Sequence, residues 1–312
     1  MKASIVIRSK NEARYIGEVL RQVFAQRYQE AWEVLLLDSG SRDDTVKIAT
    51  AFPVTVYPIR PEEFTFGRAL NRGAQMAKGE YVIYLSAHCT PVDQEWLARL
   101  LQPIEADATV VATYGRQEPR RGVNPYEEME LEWTFPSDPS PSPTAVFSSA
   151  NCAIRREILL RFPFDESAPC AEDYIWRTLL PGEHRVVYVP SASVYHSHPL
   201  NLRYWACRFR VNGQLIPFLF HTYGIEYPGT PLRSPLSGFL RYAFRTARRE
   251  YRYCRDNRYF LHLMLIPMFE TLRIFFFWRG LRVGRSEYIS LRRTGHEIGP
   301  KNVAIGKGRN GG

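Results

Sequence analysis

The chain is short of thiol pairs, of uninterrupted apolar runs and of repeats, and each shortage removes a class of protein. Its five cysteines, Cys89, Cys152, Cys170, Cys207 and Cys254, are odd in number and include no Cys-x-x-Cys pair. That argues against a disulfide framework and fits a reduced, cytosolic compartment. The most apolar stretch, Tyr259 to Trp278, is broken by His262, Pro267, Glu270 and Arg273, whereas a spanning helix wants roughly 20 predominantly apolar residues. Met1 leads straight into the strand-like Ser4 to Ile7, so a signal peptide is not expected. No internal repeat is visible, which sets solenoids aside.

What is present is a globular composition, 45% hydrophobic and 23% charged over 312 residues, with ample chain for a core. The formal charge of +9 is unevenly placed. From Pro199 onward 20 Lys and Arg face 6 Asp and Glu, a net +14, and the first 198 residues hold 21 against 26, a net −5. A basic appendage on a mildly acidic body points to an anionic partner surface, either membrane or nucleic acid.

Apolar runs alternate with helical spacing from the start. Ala3 to Ile7 reads as a strand, and Asn11-Glu12 open a helix carrying Ile16, Val19, Leu20, Val23 and Phe24. Trp32 to Leu37 is a second strand that ends at Asp38-Ser39-Gly40-Ser41, where Ser41 or Asp43 can cap the next helix. Val54 to Tyr57 is a third, and the run Glu80 to Leu85 a fourth, which stops abruptly at Ser86-Ala87-His88-Cys89-Thr90-Pro91. The alternation predicts a mostly parallel sheet with right-handed crossovers, and ligands collect at the carboxyl ends of such strands. Further on, Gln94 to Leu101 reads as a helix and Thr109 to Thr113, Phe147 to Ile154, Arg185 to Val189 and Ala192 to Tyr195 as strands. Asp138 to Pro143, rich in Pro and Ser, is predicted to be a loop.

Four strand ends thus converge on one rim: Arg8 to Glu12, Asp38 to Ser41, Arg68 to Asn71 and Ser86 to His88. Asp38 can accept a hydrogen bond from a base imide or cap its own turn. Arg68 can neutralise phosphate or lie on the surface. Glu172 and Asp173 sit at a helix N-terminus, where the dipole favours anions, for structural or chemical reasons.

The ordered set Val6-Ile7-Arg8-Ser9-Lys10-Asn11-Glu12, Leu37-Asp38-Ser39-Gly40-Ser41-Arg42-Asp43-Asp44-Thr45, Leu85-Ser86-Ala87-His88-Cys89-Thr90-Pro91 and Ala171-Glu172-Asp173 resembles the family 2 glycosyltransferases of GT-A fold. Phe64 to Gly73 and Tyr114 to Pro119 resemble their bacterial rhamnosyltransferase branch. The resemblance covers about residues 3 to 200. It implies an α/β, Rossmann-like, mostly parallel sheet with helices on both faces, with a donor half at about 1–115, an acceptor half at about 116–198 and a catalytic domain ending near 198. By matching positions it implies nucleotide contacts from Ser9, Glu12 and Asp38, and donor-side roles for Arg68, Asn71 and Ser86. Asp173 becomes the general base, Glu172 its orienting partner, and His88 and His196 the ligands of Mn²⁺ or Mg²⁺. Asn151, Arg155 and Arg156 fall where the family lines the acceptor pocket, although arginines there are equally surface residues. Trp133 and Trp176 can stack on a sugar or pack in the core.

Two departures stand out. The family carries carboxylates at positions 86 and 88, which suit a hard cation, and here they are Ser86 and His88. Arg8 stands where the family has proline. The implied activity is inverting transfer of rhamnose or another hexose from a UDP- or dTDP-linked donor to a lipid-linked, cell-envelope or polysaccharide hydroxyl. The alternatives are a degenerate scaffold, motivated by the missing carboxylates, and a nucleotidyltransferase, which calls for a glycine-rich loop that Arg8 to Glu12 lacks.

The last third changes character. Leu202 to Phe220 and Phe239 to Arg258 read as helices, the second with arginines at 241, 245, 248, 249, 252, 255 and 258. Residues 199–290 are expected to form a basic amphipathic region lying on the inner face of a membrane rather than on nucleic acid, or else a soluble helical subdomain. Residues 291–312 are expected to be a flexible basic tail.

Overall fold

The computed structural model describes residues 1–138, 146–198, 201–225 and 235–293. The predicted Asp138 to Pro143 loop beyond Asp138, and the predicted tail beyond Arg293, lie outside the described residues. Contacts divide the chain after His198 into two compact units.

The first unit contains β1 (Ala3–Ser9), α1 (Ile16–Phe24), β2 (Trp32–Asp38), α2 (Thr45–Ala49), β3 (Thr55–Pro58), α3 (Phe66–Met76), β4 (Tyr81–Ser86), β5 (Thr90–Pro91), α4 (Trp96–Ala106), β6 (Val110–Glu118), α5 (Pro125–Thr134), β7 (Asn151–Arg155), α6 (Arg156–Arg161), α7 (Glu172–Leu179) and β8 (Arg185–Tyr195). All eight strands join one sheet in the order β3-β2-β1-β4-β7-β6-β8-β5. Both faces are covered, as the unbroken apolar runs require. Ile5, Ile7, Leu36 and Ile83 pack with α1 and α4 on one face. Val6, Leu35, Leu37, Val82 and Tyr84 pack with α3, α6 and α7 on the other.

The sheet is mixed. β1, β2, β3 and β4 are mutually parallel, but β7 runs antiparallel to both β4 and β6. β7 is reached by the long excursion from Glu118 to Ala150, which includes α5, so it is free of the crossover geometry that keeps short βαβ units parallel. Its start, rather than its end, therefore meets the end of β4. Ser86 N–H donates to Ala150 O at 3.1 Å. Gly115 serves the β6–β8 pairing, because a Cβ there would lie 1.8 Å from the Ala192 carbonyl oxygen.

The helix expected to open at Asn11-Glu12 begins at Ile16 instead. Asn11 sits in the left-handed region at φ 56°, and the loop after β2 supplies acceptors for the freed amides. Asn11, Glu12 and Ala13 N–H donate to Ser41 Oγ, Thr45 Oγ1 and Asp43 Oδ2 at 2.8, 2.7 and 3.0 Å. The N-cap of α2 is Asp44 rather than Ser41 or Asp43, and Asp43 instead closes the turn before it, accepting from Thr45 N–H at 3.1 Å.

The second unit contains α8 (Leu202–Tyr223), α9 (Pro235–Asp256) and α10 (Phe260–Arg293). α8 and α10 meet backbone to backbone, since Cβ atoms at Gly213 and Gly280 would fall 2.2 Å from Phe277 O and 1.9 Å from Arg210 O. Glu270 and Arg273, which interrupt the apolar run in sequence, are turned inward. Arg273 pairs with Glu250 and Glu270 and is enclosed by the Phe209 and Phe269 rings. Removing those charges from the surface leaves Phe260, Leu261, Met264, Met268 and Phe275 exposed along α10. The span Phe260–Gly284, with mean hydropathy 1.6, is long and apolar enough to cross a membrane by composition alone.

Candidate active site

Because β1, β2 and β4 are parallel, their carboxyl ends present Ser9, Asp38 and Ser86 at one rim. Asp38 is buried and its carboxylate takes four donors: Ser9 Oγ at 3.0 Å, Gly40 N–H at 3.1 Å, Ser41 N–H at 2.9 Å and Ser41 Oγ at 2.5 Å. Of the two readings of Asp38, the turn cap is the one this geometry occupies, since four donors fill the lone pairs a carboxylate offers. A base imide has no site left on it without displacing Ser9 or Ser41.

Arg68 and Asn71 face a different partner from the one expected. Asn71 is buried, donates to Phe164 O at 2.9 Å and Glu166 Oε1 at 3.1 Å, and accepts from Phe164 N–H at 2.9 Å. Arg68 Nε donates to Glu166 Oε2 at 3.0 Å. Both side chains clamp the Phe164–Glu166 loop against α3, the amide saturating main chain that would otherwise be buried unpaired. Asn151, Arg155 and Arg156 also go to structural tasks. Asn151 accepts from Trp96 Nε1 and donates to the Arg116 and Ala192 carbonyls. Arg155 caps the carbonyls of Ile104 and Asp107 at the end of α4, and Arg156 those of Ala74 and Gln75 at the end of α3. Trp176 is in the core and donates to Phe162 O, while Trp133 is half exposed.

The histidines do converge. His88 Nδ1 lies 2.8 Å from Glu12 Oε1, His88 Nε2 lies 3.1 Å from His196 Nε2, and His196 Nδ1 lies 2.5 Å from Gln117 Oε1. His198 packs 5.2 Å from His88 and 4.8 Å from His196, centroid to centroid, with Nδ1 2.9 Å from Glu127 Oε1. Glu12, expected at the nucleotide, is thus the partner of His88. Gln117 and Glu127 were not singled out as imidazole partners in the sequence. Gln117 lies in the Tyr114 to Pro119 segment, and Glu127 lies in the first turn of α5 behind its N-cap Asn124.

A carboxylate and an amide oxygen only accept, so they hold the protons on His88 Nδ1 and His196 Nδ1. That turns the two Nε2 atoms into acceptors facing one another at 3.1 Å, an arrangement that needs a proton or a cation between them. Imidazole pairs oriented through Nδ1 by oxygen acceptors are how proteins present nitrogen to transition-metal ions. The residues present therefore fit a divalent ion such as Mn²⁺. Cys89 Sγ lies within 4.8 Å of both ligand nitrogens, but burial pushes its thiol up to about 12, and a neutral thiol suits a hard cation poorly.

Across the same rim stand the two acids. Asp173 Oδ2 accepts from Ser149 N–H at 2.9 Å and Oδ1 from Tyr174 N–H at 2.8 Å. Ser149 Oγ donates to Glu172 Oε1 at 3.2 Å. Since Ala150 O receives Ser86 N–H, the acid pair and the end of β4 are joined through the two residues Ser149 and Ala150. Burial, and then the neighbouring Asp173, push Glu172 up to about 7. Burial also raises Asp173 above its ordinary range.

A mixed sheet of this order, with polar side chains gathered where its parallel strands end, is similar to the fold of solved glycosyltransferases of GT-A type. Residues 4–162 match the family model "Glycosyl transferase family 2", and the chain belongs to that family. The chain is 24% identical over 188 residues to the O-antigen chain rhamnosyltransferase WbaN of Salmonella anatum, covering 56% of this chain and 59% of that relative. It is 24% identical over 212 residues to the O-antigen chain rhamnosyltransferase RfbN of Salmonella typhimurium, covering 64% and 67%. Among solved structures it is similar in fold to a mannosyltransferase of Pyrobaculum calidifontis in complex with GDP-Man and Mn²⁺, with a TM-score of 0.60, 18% identity and 92% and 87% of the two chains covered.

The raised pKa of Glu172 gives a pH signature. Between about 4.5 and about 7 the unfolded chain has lost this proton while the folded chain keeps it, so the stability it contributes falls as pH rises through that window. Glu172→Gln is expected to flatten the decline of Tm between pH 5 and pH 7.5, read by differential scanning fluorimetry. Parallel curves for the two proteins would contradict the assignment.

Proposed function

We propose that the chain is an inverting glycosyltransferase that moves rhamnose or another hexose from a UDP- or dTDP-linked donor to a hydroxyl of a lipid-linked, cell-envelope or polysaccharide acceptor. The observation that carries this reading is the acid pair held one dipeptide away from the end of β4, the strand whose following turn carries His88. The rhamnosyltransferase relatives support the sugar, and their partial coverage leaves donor and acceptor to experiment.

Sugar transfer needs a base for the acceptor hydroxyl, whose pKa lies far above neutral. Asp173 takes that part: each oxygen receives one main-chain N–H and retains a lone pair for an incoming hydroxyl. Its raised pKa makes it a stronger base than a solvated aspartate. Glu172, held by Ser149, orients that neighbour. With Asp173 as the one base, a single displacement inverts the anomeric carbon. His88 and His196 would hold a divalent ion, which would supply positive charge for the departing diphosphate. Glu12 and Gln117 orient the two imidazoles toward it, and imidazole nitrogen favours Mn²⁺ over Mg²⁺.

The second unit is proposed to dock on an anionic membrane from the cytoplasmic side. Exposed Leu240, Phe244 and Tyr251 on α9 lie beside the exposed Arg241, Arg245, Arg248, Arg252 and Arg255, an apolar strip flanked by a basic one.

Three outcomes are expected. Asp173→Asn should lower nucleoside diphosphate release from dTDP-rhamnose or UDP-hexose by about 10²–10⁴-fold, and full activity in that variant would exclude the base. In a thermal-shift panel, UDP or dTDP should raise Tm more with Mn²⁺ than with Mg²⁺, and His88→Ala should erase the difference; a metal response surviving that substitution would place the ion elsewhere. The full chain should sediment with vesicles containing phosphatidylglycerol but not with phosphatidylcholine alone, and should release at high salt. Equal binding to both would remove the electrostatic part.

A further inference from the structure

Two adjacent carboxylates, Glu172 buried and Asp173 half-buried, are unfavourable unless a cation or a proton compensates them. The cation facing Glu172 and Asp173 is Arg8. Alternation along β1 puts Val6 on the face covered by α3, α6 and α7, and two residues later Arg8 leaves the sheet on that face, opposite Ser86 in the β1–β4 register. Its side chain is 13% exposed, with Nη1 3.6 Å from Glu172 Oε1. Nη2 donates to Ser149 Oγ at 3.3 Å, and the guanidinium lies 5.2 Å from the centre of the Phe66 ring. A serine hydroxyl has one proton. Because Ser149 Oγ accepts from Arg8 it donates to Glu172, while its amide donates to Asp173.

We propose that Arg8 is the positioning residue of the acid pair, turning Glu172 aside through Ser149 so that Asp173 is the carboxylate left ionised for the acceptor hydroxyl. This rests on the reading of Asp173 as the base. Arg8 carries charge compensation and orientation at once. With it, the three groups hold one net negative charge when both acids are ionised. Without it, two like charges remain side by side and the pair retains a proton. Among the described residues, the other groups facing the pair are the Tyr174 amide and the thiols of Cys152 on β7 and Cys170 before α7. Burial raises both thiols, so they are neutral and offer no substitute charge.

The test uses the full chain, with nucleoside diphosphate release from dTDP-rhamnose and UDP-glucose as probes across pH 5–9.5. Arg8→Met should move the acid limb of kcat up by about one pH unit, lowering the rate by up to about tenfold along that limb and leaving it near full above it. KM for the donor should stay within about twofold, because the change acts on the base rather than on donor binding. Arg8→Lys should restore the limb. Independently of turnover, the pH window over which Tm declines should extend upward in Arg8→Met relative to the wild type. If Arg8→Met does not fold, Ser149→Ala carries the test, since it cuts the link with Arg8 in place and should raise the same limb. A rate loss equal at all pH values, with an unmoved limb and an unmoved Tm profile, overturns the proposal. Turnover surviving Asp173→Asn would instead defeat the base assignment, and the Tm profiles alone would then decide whether Arg8 governs the pair's ionisation.

Discussion

The hydrogen bond from Ser86 to Ala150 joins the two halves of the site, and the rest of the arrangement depends on it. Parallel strands end side by side and leave polar side chains along one rim. An antiparallel β7 begins at that same rim, so the turn entering it is laid against the last residue of β4. That turn is Ser148 to Ala150, and its serine holds both acids. Had β7 run parallel to β4, Ser149 would lie at the opposite edge of the sheet, and Glu172 and Asp173 would have lost the donors that Ser149 supplies.

The charge pattern of the rim follows from two departures that lie next to each other. Arg8 and Ser86 are register partners on β1 and β4. A cation where the family has proline sits beside a neutral residue where the family has a carboxylate, so positive charge is retained and negative charge is withdrawn at one spot. On the neighbouring loop His88 replaces the second carboxylate, and the chain answers with two more imidazoles, each aligned through Nδ1 by an oxygen acceptor. Imidazoles held by Glu12, Gln117 and Glu127 leave ring nitrogen, rather than carboxylate oxygen, along this part of the rim.

The second unit illustrates how burial reverses the meaning of a residue. Glu270 and Arg273 argue against a membrane helix when read along the chain, yet both are drawn inward to Glu250. The surface left behind is apolar on α10 and mixed apolar and basic on α9. Such a surface is that of an amphipathic assembly, with the ion pairs serving packing among the three helices.

Much of the rim was legible in the residues, because apolar runs of strand length that stop at Asp38, Ser86 and His88 need only local rules and the parallel-sheet rule to be placed together. The sequence by itself determined the alternating first half of the sheet, the acid pair at a helix start, the charge contrast between the two parts of the chain and the family. Only the tertiary structure decided the direction of β7, the assignment of Glu12 to His88, and the diversion of Asn71, Asn151, Arg155 and Arg156 to buried main chain. It also turned Arg8 from an anomaly in a motif into the partner of residues 149 and 172. The physical reason is common to all of these. A polar side chain goes to whichever unsatisfied group lies within about 3 Å, and for residues 35 to 164 positions apart in the chain that group is chosen by packing, which no local pattern records.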